Sequence, residues 1–211
     1  MNAKRIIYLD AGHSETDPGS ITEYGKETDF NRQIRDLLVP KLIDQGFQVE
    51  QVPDDLDLAG SIEWVDQRTN NIDDGLALSL HCNCCLGNGA ETYYFGSSVS
   101  SKEIATKLLD GYCQETGLAR SNGGVRSDTT SRPGNLGWIR KTKPWATLIE
   151  MIYLDSKEDV DFFNNNKDKI VNGIIRGILN IYGMEYKEPT KPDERLARIK
   201  SLAQQIIDLT G

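Results

Sequence analysis

The 211-residue chain has only two histidines and four cysteines, and it lacks a surplus of basic residues. Its 24 lysines and arginines are outnumbered by 32 aspartates and glutamates, which gives a formal net charge of -8. Because nucleic-acid binders need a basic face for phosphates, this balance argues against a nucleic-acid partner. Four cysteines do not form a disulfide framework in a chain of this size, so we expect reduced thiols in a reducing compartment.

Long apolar runs are also missing from the sequence. No segment approaches the about 20 apolar residues of a transmembrane helix, so membrane insertion is not expected. The N-terminus passes from Met-Asn-Ala-Lys-Arg directly into an apolar run, without a recognisable export signal. We therefore expect synthesis in the cytoplasm, and any role outside it would depend on release through lysis or a membrane pore.

The pattern of apolar residues predicts an α/β fold with a mixed, mainly parallel central sheet flanked by helices. Strands are predicted at 6–9, 47–52, 76–81, 91–95 and 146–153, with the sheet resuming near Trp138. Helices are predicted around 30–43, 62–72, 104–113 and 160–182. The polar residues 10–25 predict a loop, and the Gly-, Ser-, Asn- and Arg-rich residues 117–135 predict a long surface loop.

Composition divides the chain into one domain and a tail. Residues 1–184 are predicted to form a catalytic domain, which a chain of this length can support with one core. Residues 185–192 are charged and proline-rich and predict a linker. Residues 193–211 predict an amphipathic helix with apolar side chains at three- and four-residue spacing, which either forms a homodimer or packs on its own domain.

Each of the two histidines follows an apolar run, His13 after residues 6–9 and His81 at the end of residues 76–81. Neutral imidazole is the commonest metal ligand, and open α/β sheets place their chemistry just beyond strand ends. The two histidines therefore predict one shared metal site. The alternative is two unrelated polar side chains near loops.

A third ligand and a base are needed for a hydrolytic site, because catalytic zinc keeps three protein ligands and an open position. Glu27 opens the first predicted helix close to the His13 loop and is the best candidate, with Asp29 and Glu23 as competitors. Glu27 could instead simply favour the helix N-terminus by its charge.

Glu150 lies within the strongly apolar residues 146–153, where burial of a carboxylate is costly. A desolvated carboxylate has a raised pKa and can take a proton from water and pass it to a leaving amine. The alternative is a buried salt bridge, for which Arg140 is the candidate partner.

The segment His81-Cys82-Asn83-Cys84-Cys85 suggests an alternative to the histidine site, namely a cysteine-ligated zinc or redox site. Strand geometry weakens this alternative, since alternation would direct His81 and Asn83 to one face and Cys82 and Cys84 to the other. We interpret the cysteines mainly as small packing residues.

In order along the chain, these residues resemble the zinc-dependent N-acetylmuramoyl-L-alanine amidases of the Amidase_3 family. The landmarks are Asp10-Ala11-Gly12-His13, Asp17-Pro18-Gly19, Gly25-Lys26-Glu27 with Asn31, residues 79–83, Gly89-Ala90-Glu91-Thr92-Tyr93-Tyr94, residues 136–140 with Pro144, and Leu148-Ile149-Glu150. The resemblance implies that His13, Glu27 and His81 bind one zinc ion and that Glu150 is the catalytic carboxylate. Ser14-Glu15 and residues 151–155 depart from the family pattern.

By this resemblance the substrate is peptidoglycan, cleaved between the muramyl lactyl group and L-alanine of the stem peptide. Asn83, Arg126 and Arg140 are predicted to contact the peptide or the oxyanion. A zinc carboxypeptidase would use the same ligand types and is the alternative activity. The expected lack of an export signal favours a phage endolysin released through a holin, and a host autolysin is the other possibility.

Overall fold

Short apolar strands separated by helices make up this protein, as its computed structural model shows. The structure describes residues 3–85, 87–131 and 134–186. In chain order the strands are β1 (Ile6–Asp10), β2 (Ile21–Thr22), β3 (Gly25–Lys26), β4 (Gln48–Gln51), β5 (Leu76–Asn83), β6 (Ala90–Tyr94), β7 (Arg120–Ser127) and β8 (Trp145–Tyr153). The helices are α1 (Glu27–Asp44), α2 (Leu58–Asp66), α3 (Val99–Thr116), α4 (Gly137–Lys141), α5 (Lys157–Asn165) and α6 (Lys167–Tyr182).

Within these described ranges, six strands form one sheet in the order β4-β1-β5-β8-β6-β7. β4, β1, β5 and β8 run parallel, β6 runs antiparallel to β8, and β7 runs parallel to β6. β2 and β3 form a separate short hairpin over residues 21–26, at the end of the predicted loop 10–25. The predicted α/β fold with a mixed, mainly parallel sheet flanked by helices is confirmed.

Helices cover both faces of the sheet, which explains why its central strands are almost continuously apolar. One core lies against α1, α3 and α6 and includes Leu9 and Leu78. The other lies against α2 and α4 and includes Tyr8, Ala77 and Trp138. Successive strand residues therefore enter opposite cores, as Tyr8 and Leu9 do.

The parallel strands β1, β5 and β8 end at the same edge of the sheet, where open α/β folds bind their ligands. Because β6 runs in the opposite direction, its first residues lie at this edge as well. His81 and Glu150 lie toward this end of their strands, and His13 follows β1. The fold thus gathers the candidate residues at one edge.

The prediction of a surface loop over 117–135 is wrong for its central part, because β7 occupies Arg120–Ser127 and pairs with β6. β7 is an edge strand in which only Gly124 is buried, so it lacks the apolar alternation that identifies a strand. Gly123 and Gly124 adopt φ values of +84° and +83°, and the register with β6 shifts, as at a β-bulge.

The helices also differ from the predictions in several places. Trp138 lies in α4, so the sheet resumes at Trp145 instead. The predicted helix 62–72 is α2, which begins earlier because the Asp57 carboxylate caps it by accepting a hydrogen bond from the Gly60 amide. The predicted helix 160–182 is two helices, α5 and α6, separated by the non-helical backbone of Asn166.

No helix in the described part of the chain is both long enough and apolar enough to cross a membrane. Residues 187–211, which include most of the predicted linker 185–192 and all of the predicted helix 193–211, lie outside the described residues. The domain boundary at 184 and the homodimer therefore stay predictions.

Candidate functional site

The loop after β1 turns His13 back over the sheet edge. Gly12 and His13 adopt φ values of +56° and +64°. The Asp10 carboxylate holds the turn, since it accepts hydrogen bonds from the Gly12 amide at 3.1 Å and from the Ser79 hydroxyl. An Asp17 carboxylate oxygen lies 3.1 Å from Nδ1 of His13. An Nδ1–H donated to Asp17 leaves Nε2 of His13 as the nitrogen that could ligate a metal.

Glu27, the first residue of α1, lies between the two histidines. Its side chain is 4% exposed, with Oε2 at 3.1 Å from Nε2 of His13 and Oε1 at 3.0 Å from Nδ1 of His81. The backbone amides of Ser20 and Cys82 donate hydrogen bonds to Oε2 and Oε1 at 3.0 and 3.2 Å. These contacts fix the carboxylate between the imidazoles.

The donor atoms of this group fit a zinc ion. One ligand atom from each of His13, Glu27 and His81 lies within 4.8 Å of the other two, and this is the only such group of three found among the described residues. Donors about 2.0–2.1 Å from tetrahedral zinc lie about 3.3 Å apart, and the two histidine–glutamate separations of 3.1 and 3.0 Å are close to this value. The competing carboxylates, Glu23 and Asp29, are exposed and outside the group.

The charges of the three groups support one another. Burial would raise the pKa of Glu27, but hydrogen bonds with both histidines hold it well below its usual value. Burial alone would lower the pKa of His13. Hydrogen bonds to Glu27 and Asp17 have the larger effect together and raise this pKa to about 9. The pKa of His81 is also raised, against its burial, by Glu27. The Glu27 carboxylate thus favours positive charge between the two histidines, and a bound divalent cation would supply that charge.

Because Gly12 and Gly19 have no side chain, the candidate ligands fit beside them. A Cβ on Gly19, whose φ is +67°, would lie 2.6 Å from Oε2 of Glu27 and 2.6 Å from Cδ2 of His13. A Cβ on Gly12 would lie 2.7 Å from Nε2 of His81. Any larger residue at either position would displace a ligand.

We expect Gly19→Ala to weaken zinc binding by about 10–100-fold, the range typical of substitutions that disturb the surroundings of a ligand. Gly183→Ala is the matched control, because Gly183 has a φ of +64° but no atom of the described residues within 4 Å of its Cβ position. Both variants carry similar backbone strain, and only Gly19→Ala reaches a ligand. Competition titration against a chromophoric chelator measures both affinities, and equal values would contradict the assigned packing.

Glu150 lies in β8 directly opposite His81 in β5. Both side chains line a 470 Å³ cavity together with His13 and Glu27. Oε2 of Glu150 is buried and has no hydrogen-bond partner among the described residues. Burial raises the pKa of Glu150 to about 7. A carboxylate with this pKa can accept and return a proton near neutral pH.

The alternative salt bridge between Glu150 and Arg140 does not form. Nε of Arg140 donates instead to the fully buried Asp128 carboxylate, and its guanidinium lies 5.1 Å from the Phe95 ring centre. Asp128 also accepts a hydrogen bond from the Gly96 amide at 3.0 Å. These contacts give Arg140 a role in holding the chain before α4, and its contact with substrate stays a prediction.

A second buried carboxylate, Glu91 in β6, faces Glu150 across the antiparallel strand pair. Its oxygens accept hydrogen bonds from the side chains of Asn83 (2.7 Å), Tyr93 (2.9 Å), Asn122 (3.1 Å) and Arg126 (3.4 Å). Buried charges are tolerated when their hydrogen bonds are satisfied in this way. Glu91 thus brings two of the three predicted substrate residues, Asn83 and Arg126, together beside Glu150.

Cavities extend the site in both directions. A 310 Å³ cavity continues past Asn83 to Arg126 and Tyr153. A 220 Å³ cavity continues past His13 to Leu58 and Trp138. We call these two cavities and the 470 Å³ cavity between them the groove. An open groove centred on the candidate ligands suits a polymeric substrate.

The cysteine-ligated alternative receives no support from the geometry. No cysteine joins a group of three potential ligands in the described ranges. Cys82 is buried in the core, so the packing interpretation is confirmed for it. It is wrong for Cys84, which lines the groove, and for Cys85, which is exposed. Alternation fails at Cys84 because β5 ends at Asn83.

Sequence reasoning assigned no role to Asp17, Gly19 or Glu91. Asp17 lies four residues after His13, and a carboxylate that orients a ligating imidazole is a common arrangement. Glu91 stands within a short apolar strand, the same signal that identified Glu150. Gly19 gave no signal by itself, because its role depends on a ligand that packs against it from α1.

The family model for Amidase_3, described as N-acetylmuramoyl-L-alanine amidase, matches residues 7–180. The chain belongs to the Amidase_3 family. The matched range begins in β1 and ends in α6, so it includes His13, Glu27, His81 and Glu150.

Individual relatives of this Amidase_3 chain agree with the family match. The germination-specific N-acetylmuramoyl-L-alanine amidase of Bacillus subtilis (strain 168) is 26% identical over 200 residues, which cover 84% of this chain and 80% of that protein. An uncharacterised protein of Clostridium perfringens is 24% identical over 155 residues, covering 71% of this chain and 43% of that protein. The chain therefore spans less than half the length of that relative.

A solved structure also resembles this Amidase_3 chain. The catalytic domain of CwlV, an N-acetylmuramoyl-L-alanine amidase from Bacillus (Paenibacillus) polymyxa var. colistinus, superposes with a TM-score of 0.70 and 26% identity. The superposition covers 85% of this chain and 99% of that domain.

Proposed function

We propose that this protein is a peptidoglycan hydrolase, an N-acetylmuramoyl-L-alanine amidase that separates the muramyl lactyl group from L-alanine of the stem peptide. The observation that carries the proposal is the buried Glu150 carboxylate opposite His81, in the cavity that His13 and Glu27 also line. Membership of the Amidase_3 family supports the identity of the bond.

The metal in this proposal is one zinc ion, which Nε2 of His13, a carboxylate oxygen of Glu27 and Nδ1 of His81 would hold. When bound, zinc supplies Lewis acidity toward the amide carbonyl and the attacking water. Asp17 orients His13, and the amides of Ser20 and Cys82 orient Glu27. These contacts keep His13 and Glu27 in place.

Glu150 carries the proton transfers. It accepts a proton from the attacking water and delivers it to the departing L-alanine nitrogen as the C–N bond breaks. The water oxygen remains on the lactyl carbonyl carbon, so the products are a carboxylate on the glycan strand and a stem peptide with a new amino terminus. A buried carboxylate without a hydrogen-bond partner on Oε2 is suited to this exchange.

Asn83 and Arg126 are proposed to contact the stem peptide. Both line the groove beside Glu150, and Glu91 holds both side chains. Arg126 is 25% exposed, so its guanidinium can meet a peptide carboxylate or carbonyl from the groove.

Digestion of purified peptidoglycan followed by mass analysis of the fragments tests the proposed activity. We expect stem peptides with free L-alanine amino termini and glycan strands that keep their lactyl carboxylates. Release of C-terminal amino acids without new L-alanine amines would instead show the zinc carboxypeptidase alternative and overturn the amidase. The bacterial cell wall is the proposed place of action, and phage origin with holin release stays a prediction.

A further inference from the structure

We propose that Cys84 and Cys85 form a vicinal thiol pair that closes reversibly into a disulfide, and that closure slows hydrolysis in the adjacent groove. Their Sγ atoms lie 3.0 Å apart. Cys84 lines both the 470 Å³ and the 310 Å³ cavity, and Cys85 lines the latter. The pair therefore stands on the rim of the groove, next to the candidate metal centre.

The backbone after β5 is what brings these two sulfurs together. Adjacent residues in an extended strand direct their side chains to opposite faces, but the chain leaves the strand after Asn83. Cys85 adopts a φ of +81°, a conformation that side-chain-bearing residues rarely take. Its side chain is exposed, so a small oxidant can reach the pair.

Cys84 rests in the thiol form. Burial raises the pKa of the Cys84 thiol, and the neighbouring Cys85 adds to the shift. Attack on an external disulfide therefore begins at the exposed Cys85 and not at Cys84.

The proposed oxidant is a low-molecular-weight disulfide. The Cys85 thiolate attacks one of its sulfurs and releases one thiol, giving a mixed disulfide. The Cys84 thiolate then attacks Sγ of Cys85 and releases the second thiol, so the protein loses two thiol hydrogens and one external disulfide becomes two thiols. Adjacent Cα atoms are about 3.8 Å apart, shorter than the about 4.4–6.8 Å of ordinary disulfides, so the closed pair is readily reduced.

Contacts of Cys84 connect the pair to Glu91 and to the candidate ligand Glu27. The Cys84 amide donates to Oδ1 of Asn83 at 2.8 Å, and Asn83 in turn donates to Glu91. The Ser20 side chain lowers the pKa of the nearby Cys84 thiol, and the Ser20 amide donates a hydrogen bond to Oε2 of Glu27. Ring closure moves Sγ of Cys84 toward Cys85 and disturbs both connections, so we expect about a tenfold or greater loss of kcat/KM.

The test treats the zinc-loaded full chain with oxidised glutathione and compares wild type with Cys85→Ser and with the matched control Cys113→Ser. Cys113 is a half-buried thiol on α3, outside the groove. We expect wild type and Cys113→Ser to lose the mass of two hydrogen atoms, mapped to the peptide that contains Cys84 and Cys85. Cys85→Ser should show no such loss.

Activity is compared between the oxidised and reduced forms of each protein, with zinc content measured in parallel. In wild type the rate should fall on oxidation and return with dithiothreitol, at constant zinc. An unchanged wild-type mass, an internal disulfide in Cys85→Ser, or a full rate in the closed form would each overturn the proposal. The rate measurement rests on the proposed amidase function, whereas the mass measurement does not, so failure of the amidase is distinguishable from failure of the thiol pair.

Discussion

Glu150→Gln should lower kcat for peptidoglycan hydrolysis by about 10²–10⁴-fold, because an amide cannot accept the water proton. Zinc content should stay unchanged, since Glu150 is not among the three candidate ligands. The free energy of unfolding should not fall, because the buried Oε2 has no hydrogen bond to lose and a neutral amide is less costly to bury than a charge. Release of free amino groups, elemental analysis and denaturant unfolding measure the three quantities.

Glu63→Gln is the matched control for this substitution. Glu63 is exposed on α2, and its carboxylate accepts a hydrogen bond from the Gln67 side chain at 3.1 Å. The same chemical change there should leave the hydrolysis rate unchanged. If Glu150→Gln hydrolysed peptidoglycan as fast as Glu63→Gln, Glu150 could not be the base.

His81→Ala should remove zinc and activity together. A structural zinc site gains about 10–16 kcal/mol from its ligands, or about 2.5–4 kcal/mol for each of four, so loss of one imidazole should weaken binding by about 10²–10³-fold. The chain has only two histidines, and His13 already faces Glu27, so no other histidine can substitute for His81. Zinc content after dialysis and the hydrolysis rate at limiting zinc are the measurements.

Comparison of His81→Ala with Glu150→Gln separates the two roles. The first variant should lose the metal, and the second should lose only the rate. A His81→Ala protein that retained wild-type zinc affinity would show that the ion binds elsewhere. A Glu150→Gln protein that lost zinc would show that Glu150 is itself a ligand.

Parts of the fold with a strong hydrophobic pattern could be predicted from the sequence. β1, β5 and β8 are buried on both faces, so their apolar runs stand out. β7 could not be found in this way, because an edge strand with Gly123 and Gly124 has neither alternation nor high β-propensity. The break between α5 and α6 was missed because apolar periodicity continues on both sides of Asn166.

Some residues of the candidate site could likewise be predicted from the sequence, and others could not. His13 and His81 could be identified because both follow apolar runs, and Glu150 because a carboxylate in such a run is rare. The function of Glu91 required the three-dimensional structure, since its hydrogen-bond donors come from three separate segments around residues 83, 93 and 122–126. The exposure of Cys84 and Cys85 was missed because alternation was extended beyond the end of β5.

The most direct test of the account is a crystal structure of the zinc-loaded protein with anomalous data collected on both sides of the zinc absorption edge. We expect one zinc peak bonded to Nε2 of His13, a carboxylate oxygen of Glu27 and Nδ1 of His81, at about 2.0–2.2 Å from each. Glu150 should lie beside the ion without ligating it. A peak ligated by Glu150, a peak at Cys84 and Cys85, or no peak between the histidines would contradict the account.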